Sequence, residues 1–200
     1  NKTWLEVCYM ERLRTKNYGP ALGPVQKLCI AGLLVAMAIV LDSVGQIVFT
    51  PTNKLTLTFL PLSLCGMLLG PIYGGIAGGA ADIIGYFIGG QGMGAFMPQF
   101  TVPVILEGVL AGLLLRPLMG DCTKTQLVSR IVLYRIAVNA VCYILLNTWF
   151  LSLLSGTEYF GMLITRLPKY MIIPFVEMFL LVLVAPLVKK SLLAVSRSFA

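Results

Sequence analysis

The chain has 200 residues, 58% of them hydrophobic and 12% charged, with a formal net charge of +7. With a mean hydropathy of +0.90, this balance excludes an ordinary soluble domain and fits one compact helical bundle in lipid. The cations gather at the ends of apolar stretches, which assigns them to headgroups and the positive-inside bias and excludes nucleic acid as a partner.

In chain order, residues 1–26 are polar and contain Pro and Gly. They read as a cytoplasmic lead-in, with an amphipathic turn around Leu5 to Leu13, and not as a leader peptide. Six apolar segments follow: Lys27–Phe49, Leu55–Leu69, Tyr73–Ile88, Phe100–Leu115, Leu127–Leu154 and Met171–Val188. A helix needs about 20 residues to cross the hydrocarbon layer, so the second, third and fourth are short and the fifth is long enough to tilt.

Punctuation supports the division. Pro51 disfavours helix at Thr50 and closes the first segment. Gly70-Pro71 makes a tight turn, and Gly89-Gly90-Gln91-Gly92-Met93-Gly94 is too glycine-rich to stay helical. Gly120 to Lys124 forms an inner loop, and Ser155 to Lys169 is the longest outer connection. Residues 191–200 form a second cytoplasmic tail.

The 15 cations follow this pattern. Lys2, Arg12, Arg14, Lys16 and Lys27 precede the first segment, Arg116, Lys124, Arg130 and Arg135 cluster mid-chain, and Lys189, Lys190 and Arg197 close the chain. With six crossings and both termini inside, these are cytoplasmic. The other three, Lys54, Arg166 and Lys169, lie outside and need a reason.

The third segment is dense in Gly74, Gly75, Gly78, Gly79 and Gly85, which predicts a closely packed central helix. Gly32 and Ala36 give the first helix another small face, for internal packing or for docking a second membrane protein.

Ionisable groups within membrane segments are costly and point to function. At a rise of about 1.5 Å per residue, Asp42, Asp82, Glu107, Asn147 and Glu177 each fall roughly 9–10 Å below an outer helix end. That common depth predicts a polar cavity opening outward. Tyr86, Phe100 and Trp149, with Phe87, Phe96 and Tyr143, supply aromatic surfaces near this level. Lys54, Arg166 and Lys169 above it would suit carboxylates, since Arg binds them bidentately. The implied ligand is aromatic below and anionic above.

Five scattered cysteines without a CxxC pair, and no histidine, remove the common zinc sets and His-based catalysis. No cofactor or metal is expected. No GxxxxGK[ST] phosphate loop occurs, so the chain does not use ATP itself.

Leu69-Gly70-Pro71-Ile72-Tyr73-Gly74-Gly75, Ala81-Asp82-Ile83-Ile84-Gly85, Met97-Pro98-Gln99-Phe100-Thr101, Leu146-Asn147-Thr148-Trp149 and Arg166-Leu167-Pro168-Lys169 resemble the folate-type S components of energy-coupling-factor (ECF) vitamin transporters. The similarity runs from about Lys27 to Lys190. It implies an all-α, six-helix, N-in/C-in subunit of the cell membrane, spanning residues 27–190 and not an enzyme. Such a subunit binds a vitamin from outside and reorients against a transmembrane coupling protein energised by two cytoplasmic ATPases. It also implies that Gly32 and Ala36 dock on the coupling protein and that the loop from Thr50 to Lys54 is a flap over the ligand.

On this reading Arg166, Lys169 and Lys54 hold the glutamate carboxylates of a folate. Asp82, Glu107, Asn147 and Glu177 meet the pterin edge or hold helices together, while Phe100, Tyr86 and Trp149 stack. Glu107 departs from the neutral residue or arginine of relatives, which leaves pantothenate, a thiamin-precursor pyrimidine, pyridoxine or cobalamin as alternative ligands. A stand-alone carrier or channel is a further alternative, weakened by the lack of an inverted repeat. A membrane enzyme lacks any DxxxD or HExxH arrangement.

Overall fold

A computed structural model describes residues 23–44, 47–50, 53–55, 57–88, 97–119, 124–156 and 158–198. The N-terminal lead-in up to residue 22, the glycine-rich loop at 89–96 and the inner loop at 120–123 lie outside the described residues, as do the side chains of Lys54 and Lys169.

Each of the six apolar segments contributes a helix, with boundaries that differ in informative ways. α1 (Pro24–Val44) is followed by a two-stranded antiparallel hairpin, β1 (Ile47–Thr50) and β2 (Asn53–Leu55). The first segment was expected to stay helical to Phe49. Instead Ile47-Val48-Phe49-Thr50, a β-branched and aromatic run, pairs with Asn53-Lys54-Leu55, Val48 standing opposite Lys54. The hairpin is the exception to an otherwise helical fold.

α2 (Phe59–Leu69) is apolar on every side, and all of it from Pro61 onward is buried. It, not the glycine-dense third segment, is the central helix. α3 (Pro71–Ile88) follows directly, and Gly70 between them has φ of +102°, a conformation that side chains with a Cβ resist.

A 3-10 turn at Pro98–Phe100 leads into α4 (Thr101–Leu115). The α3 glycines are explained by α4. A Cβ on Gly78 would lie 2.6 Å from the Val104 carbonyl oxygen, and Gly74 and Gly108 would each thrust a Cβ into the other's backbone. The two helices therefore run antiparallel with backbones nearly touching.

The fifth segment is one continuous rod of three parts: α5 (Lys124–Val138), a π-helical stretch Asn139–Asn147, and α6 (Thr148–Ser155). Gly156, at φ +64°, ends it in a left-handed cap. α7 then runs from Tyr159 to Ser198. Most of Ser155 to Lys169, expected as a loop, is thus the first part of a helix. Phe160, Met162, Leu163 and Ile164 carry the apolar pattern through it, and Pro168 is accommodated within it.

The core gathers Leu64, Cys65, Leu115, Ile131, Tyr134 and Leu181 from four helices. Outward positions are apolar too, Leu33, Ile72, Ile76, Phe87 and Phe175 among them, which suits a lipid surface. Pro24–Ser43, Pro98–Leu118 and Thr125–Ser155 are long and apolar enough to cross a membrane, and Phe59–Leu69 and Ile173–Val188 are shorter apolar helices. The chain has the build of a multi-pass membrane bundle.

Candidate functional site

At the centre of the bundle lies a cluster of charges. Arg135, on α5, donates from Nη1 to Glu107 Oε1 of α4 at 3.1 Å, and its Nη2 meets Glu177 Oε2 of α7. The three residues are 2%, 4% and 6% exposed. Tyr143, from the π-helical stretch, donates its hydroxyl to Glu107 Oε2 at 3.0 Å. Four backbone segments thus converge on one pair of carboxylates.

The guanidinium is also held by rings, 4.8 Å from the centroid of Phe59 and 5.5 Å from that of Tyr134. Tyr134 is itself fixed by its hydroxyl against Ser63 Oγ at 2.8 Å. A buried cation is tolerated only when paired, and such aromatic faces add to the pairing. Nε of Arg135 is buried with no hydrogen-bond partner among the described residues.

Arg135 is therefore not one of the cytoplasmic cations among which the sequence grouped it. Its neighbourhood carried the signal: it stands well inside the segment Leu127–Leu154, between Tyr134 and Ile136. A cation at such a position demands an acidic partner.

Glu107 and Glu177 both contact Arg135. Asp82 does not join them. The Gly74–Gly108 and Gly78–Val104 contacts put Glu107 level with Gly75, about 10 Å along α3 from Asp82 at the usual rise per residue. Asp82 instead accepts from Thr101 Oγ1 at 2.6 Å. The equal depths counted from the sequence fail because α3 rises beyond the first turn of α4, so their outer ends are not level. Asp42 likewise lies near the end of α1, where it accepts from Thr58 Oγ1 at 3.4 Å.

The polar groups thus form two tiers, with Glu107, Arg135 and Glu177 as the floor. Above them, Thr148 Oγ1 donates to the Tyr143 carbonyl at 3.0 Å and lies 3.2 Å from the Tyr170 hydroxyl. Asn139 donates to the Tyr170 carbonyl at 2.8 Å. The Tyr143 and Tyr170 rings lie 6.4 Å apart at a 35° tilt. Tyr170, which the sequence reading passed over, directly follows Lys169, so this chain of contacts ends beside the basic segment of α7 that holds Arg166 and Lys169.

The other expected residues are distributed around these tiers. Tyr86, Phe100, Asn147 and Arg166 are half-buried. Tyr86 meets Phe87 edge to face, with centroids 5.6 Å apart. Trp149 is 50% exposed and lies against Phe150, outside the buried cluster. The backbone of Lys54 is in β2, and Lys169 is on α7. Gly32 and Ala36 share an exposed face of α1, and a Cβ on Gly32 would meet nothing within 4 Å. Among the described residues, nothing packs against this face at Gly32.

Chemically, the floor offers fixed carboxylate oxygens with spare acceptor capacity, since each oxygen can take two hydrogen bonds. It suits recognition of N–H donors on a flat ligand.

The family described as "ECF transporter, substrate-specific component" matches residues 26–194. A curated protein named "Folate transporter FolT", from Clostridium novyi (strain NT), is 28% identical over 120 residues, covering 60% of this chain and 65% of that protein. The alignment thus spans just under two thirds of the relative's own length. A solved structure described as "Crystal structure of FolT bound with folic acid" is 27% identical, with a TM-score of 0.65, over 76% of this chain and 87% of the other.

Proposed function

Because the chain belongs to the family of substrate-specific components of ECF transporters, we propose that it is the membrane subunit that captures a folate from outside the cell. It delivers the vitamin inward by reorienting against a transmembrane coupling protein driven by two cytoplasmic ATPases. Its six helical segments cross the cell membrane with both termini in the cytoplasm, and the subunit performs no catalysis itself.

The observation that carries this reading is the joint likeness of sequence and fold to a FolT bound with folic acid. The buried polar floor supports it independently, because ionisable groups within a membrane bundle are costly and point to a functional site. In this assignment Glu107 and Glu177 lie beneath the pteridine, and Asp82 and Asn147 serve its edge. Phe100 and Tyr86 give stacking surfaces, and Trp149 joins them only by turning inward. Arg166, Lys169 and Lys54 take the glutamate carboxylates, with the β1–β2 hairpin closing over the ligand. Gly32 and Ala36, open on α1, dock the coupling protein.

Mass spectrometry of the small molecule that co-purifies, followed by competition among folic acid, pantothenate, pyridoxine, cobalamin and a thiamin-precursor pyrimidine, tests the assignment. A folate should co-purify and should resist displacement by the other four. Recovery of one of the others, with no competition from folic acid, would transfer the function to that vitamin.

A further inference from the structure

The floor holds two carboxylates and one guanidinium, and their geometry is not symmetric. Glu107 is gripped from two sides, by Arg135 on Oε1 and by Tyr143 on Oε2, whereas Glu177 meets the same guanidinium at Nη2. The guanidinium cannot swing freely, because Phe59 and Tyr134 lie within 5.5 Å of it and Ser63 anchors Tyr134.

We infer that Arg135 is a positioning residue for the ligand site: its forked donors fix the Glu107 carboxylate in the orientation from which it meets the ligand, using Glu177 as the counterweight. The inference rests on the folate reading for the identity of the ligand. It also assigns a cation no ligand-contacting role, although arginines near carboxylate-bearing ligands usually invite one.

Three features carry it. The first is placement. Arg135 lies between α4 and α7, the two helices that bear the glutamates, and its rigid, planar fork holds both in fixed directions from one position, as a rotatable ammonium does not. The second is connection. From Glu107 the contacts run through Tyr143 to Thr148 and Tyr170, so the orientation of the floor is tied to the segment of α7 that carries Arg166 and Lys169. The third is the hairpin. Phe59, whose ring faces the guanidinium, is the first residue of α2 and lies just past β2.

The test uses two variants of the full chain, purified in detergent, each read by thermal unfolding and by titration with folic acid. Arg135→Lys keeps the charge and loses the fork. The pair Arg135→Met with Glu177→Gln removes one charge of each sign, so the floor keeps its net charge and Glu107 keeps its carboxylate but loses its guide. The expected result is a cooperative unfolding transition in at least one variant, with affinity for folic acid lowered at least about tenfold in every folded variant, the scale of a disrupted buried charge pair. A folded variant that binds within about threefold of the unaltered chain overturns the inference and leaves Arg135 a purely structural cross-link. Loss of folding in both overturns it likewise. Failure of the unaltered chain to bind folic acid is a separate result: it removes the folate reading, and this inference with it.

Discussion

Gly74 of α3 and Gly108 of α4 stand face to face, each occupying the space that a Cβ on the other would need. This contact sets the register of the two helices, and through it the level at which Glu107 meets Arg135. A branched side chain here must push apart two backbones, which unlike a flexible side chain cannot yield locally. Gly108→Val should therefore destabilise the bundle by at least about 3 kcal/mol, the upper range for overpacking. Thermal unfolding in detergent checks this, and an unchanged midpoint would mean that α3 and α4 are not in this register.

Gly32 provides the contrast. A Cβ added there meets nothing within 4 Å among the described residues, so Gly32→Leu should leave both the unfolding midpoint and folic acid affinity unchanged. If the α1 face is the docking surface, the same substitution abolishes co-purification with the coupling protein. Normal recovery of the complex would move the docking surface elsewhere.

The Thr101–Asp82 hydrogen bond, at 2.6 Å, joins the first residue of α4 to the body of α3. Removing a donor from a charged acceptor costs about 1.5–3 kcal/mol. Thr101→Val should lower stability by that amount, and the loss should largely vanish when Asp82 is already alanine. Equal losses in both backgrounds, in a double-mutant cycle, would show that the pair does not interact.

Arg166 is half-buried in the N-terminal part of α7. If it holds a ligand carboxylate, Arg166→Ala should weaken folic acid binding by about 1.5–3 kcal/mol. A folic acid analogue without its glutamate should bind both proteins alike. A loss that persists with the truncated analogue would place Arg166 against the pteridine instead.

The sequence made the helices legible because lipid allows few alternatives: apolar runs between Pro, Gly and charge become helices, and all six did. It grouped Glu107 and Glu177 with Asp42, Asp82 and Asn147 from the cost of burying charge and a count of common depth. What escaped it was relative height. Counting from helix ends assumes level ends, and only the contact between Gly74 and Gly108 reveals that Asp82 and Glu107 differ by about two turns.

Arg135 was misread for a related reason. Its charge was sorted with nearby loop cations, although its apolar flanks placed it within the bundle. The π-helical stretch that brings Tyr143 to Glu107 left no mark in the residue pattern, because a change of hydrogen-bond register is decided by packing. The β1 strand was hidden by its hydrophobicity, since Ile47, Val48 and Phe49 simply lengthened the preceding apolar run.

The central claim is that buried polar side chains from several helices form one folate site above the Arg135 floor. The most direct test is calorimetric titration of folic acid into the purified chain, beside the variant Glu107→Gln. The account predicts saturable, one-to-one binding by the unaltered chain and an affinity lower by at least about tenfold in the variant, the scale of a lost charged hydrogen bond. Equal affinity in the two proteins would contradict it.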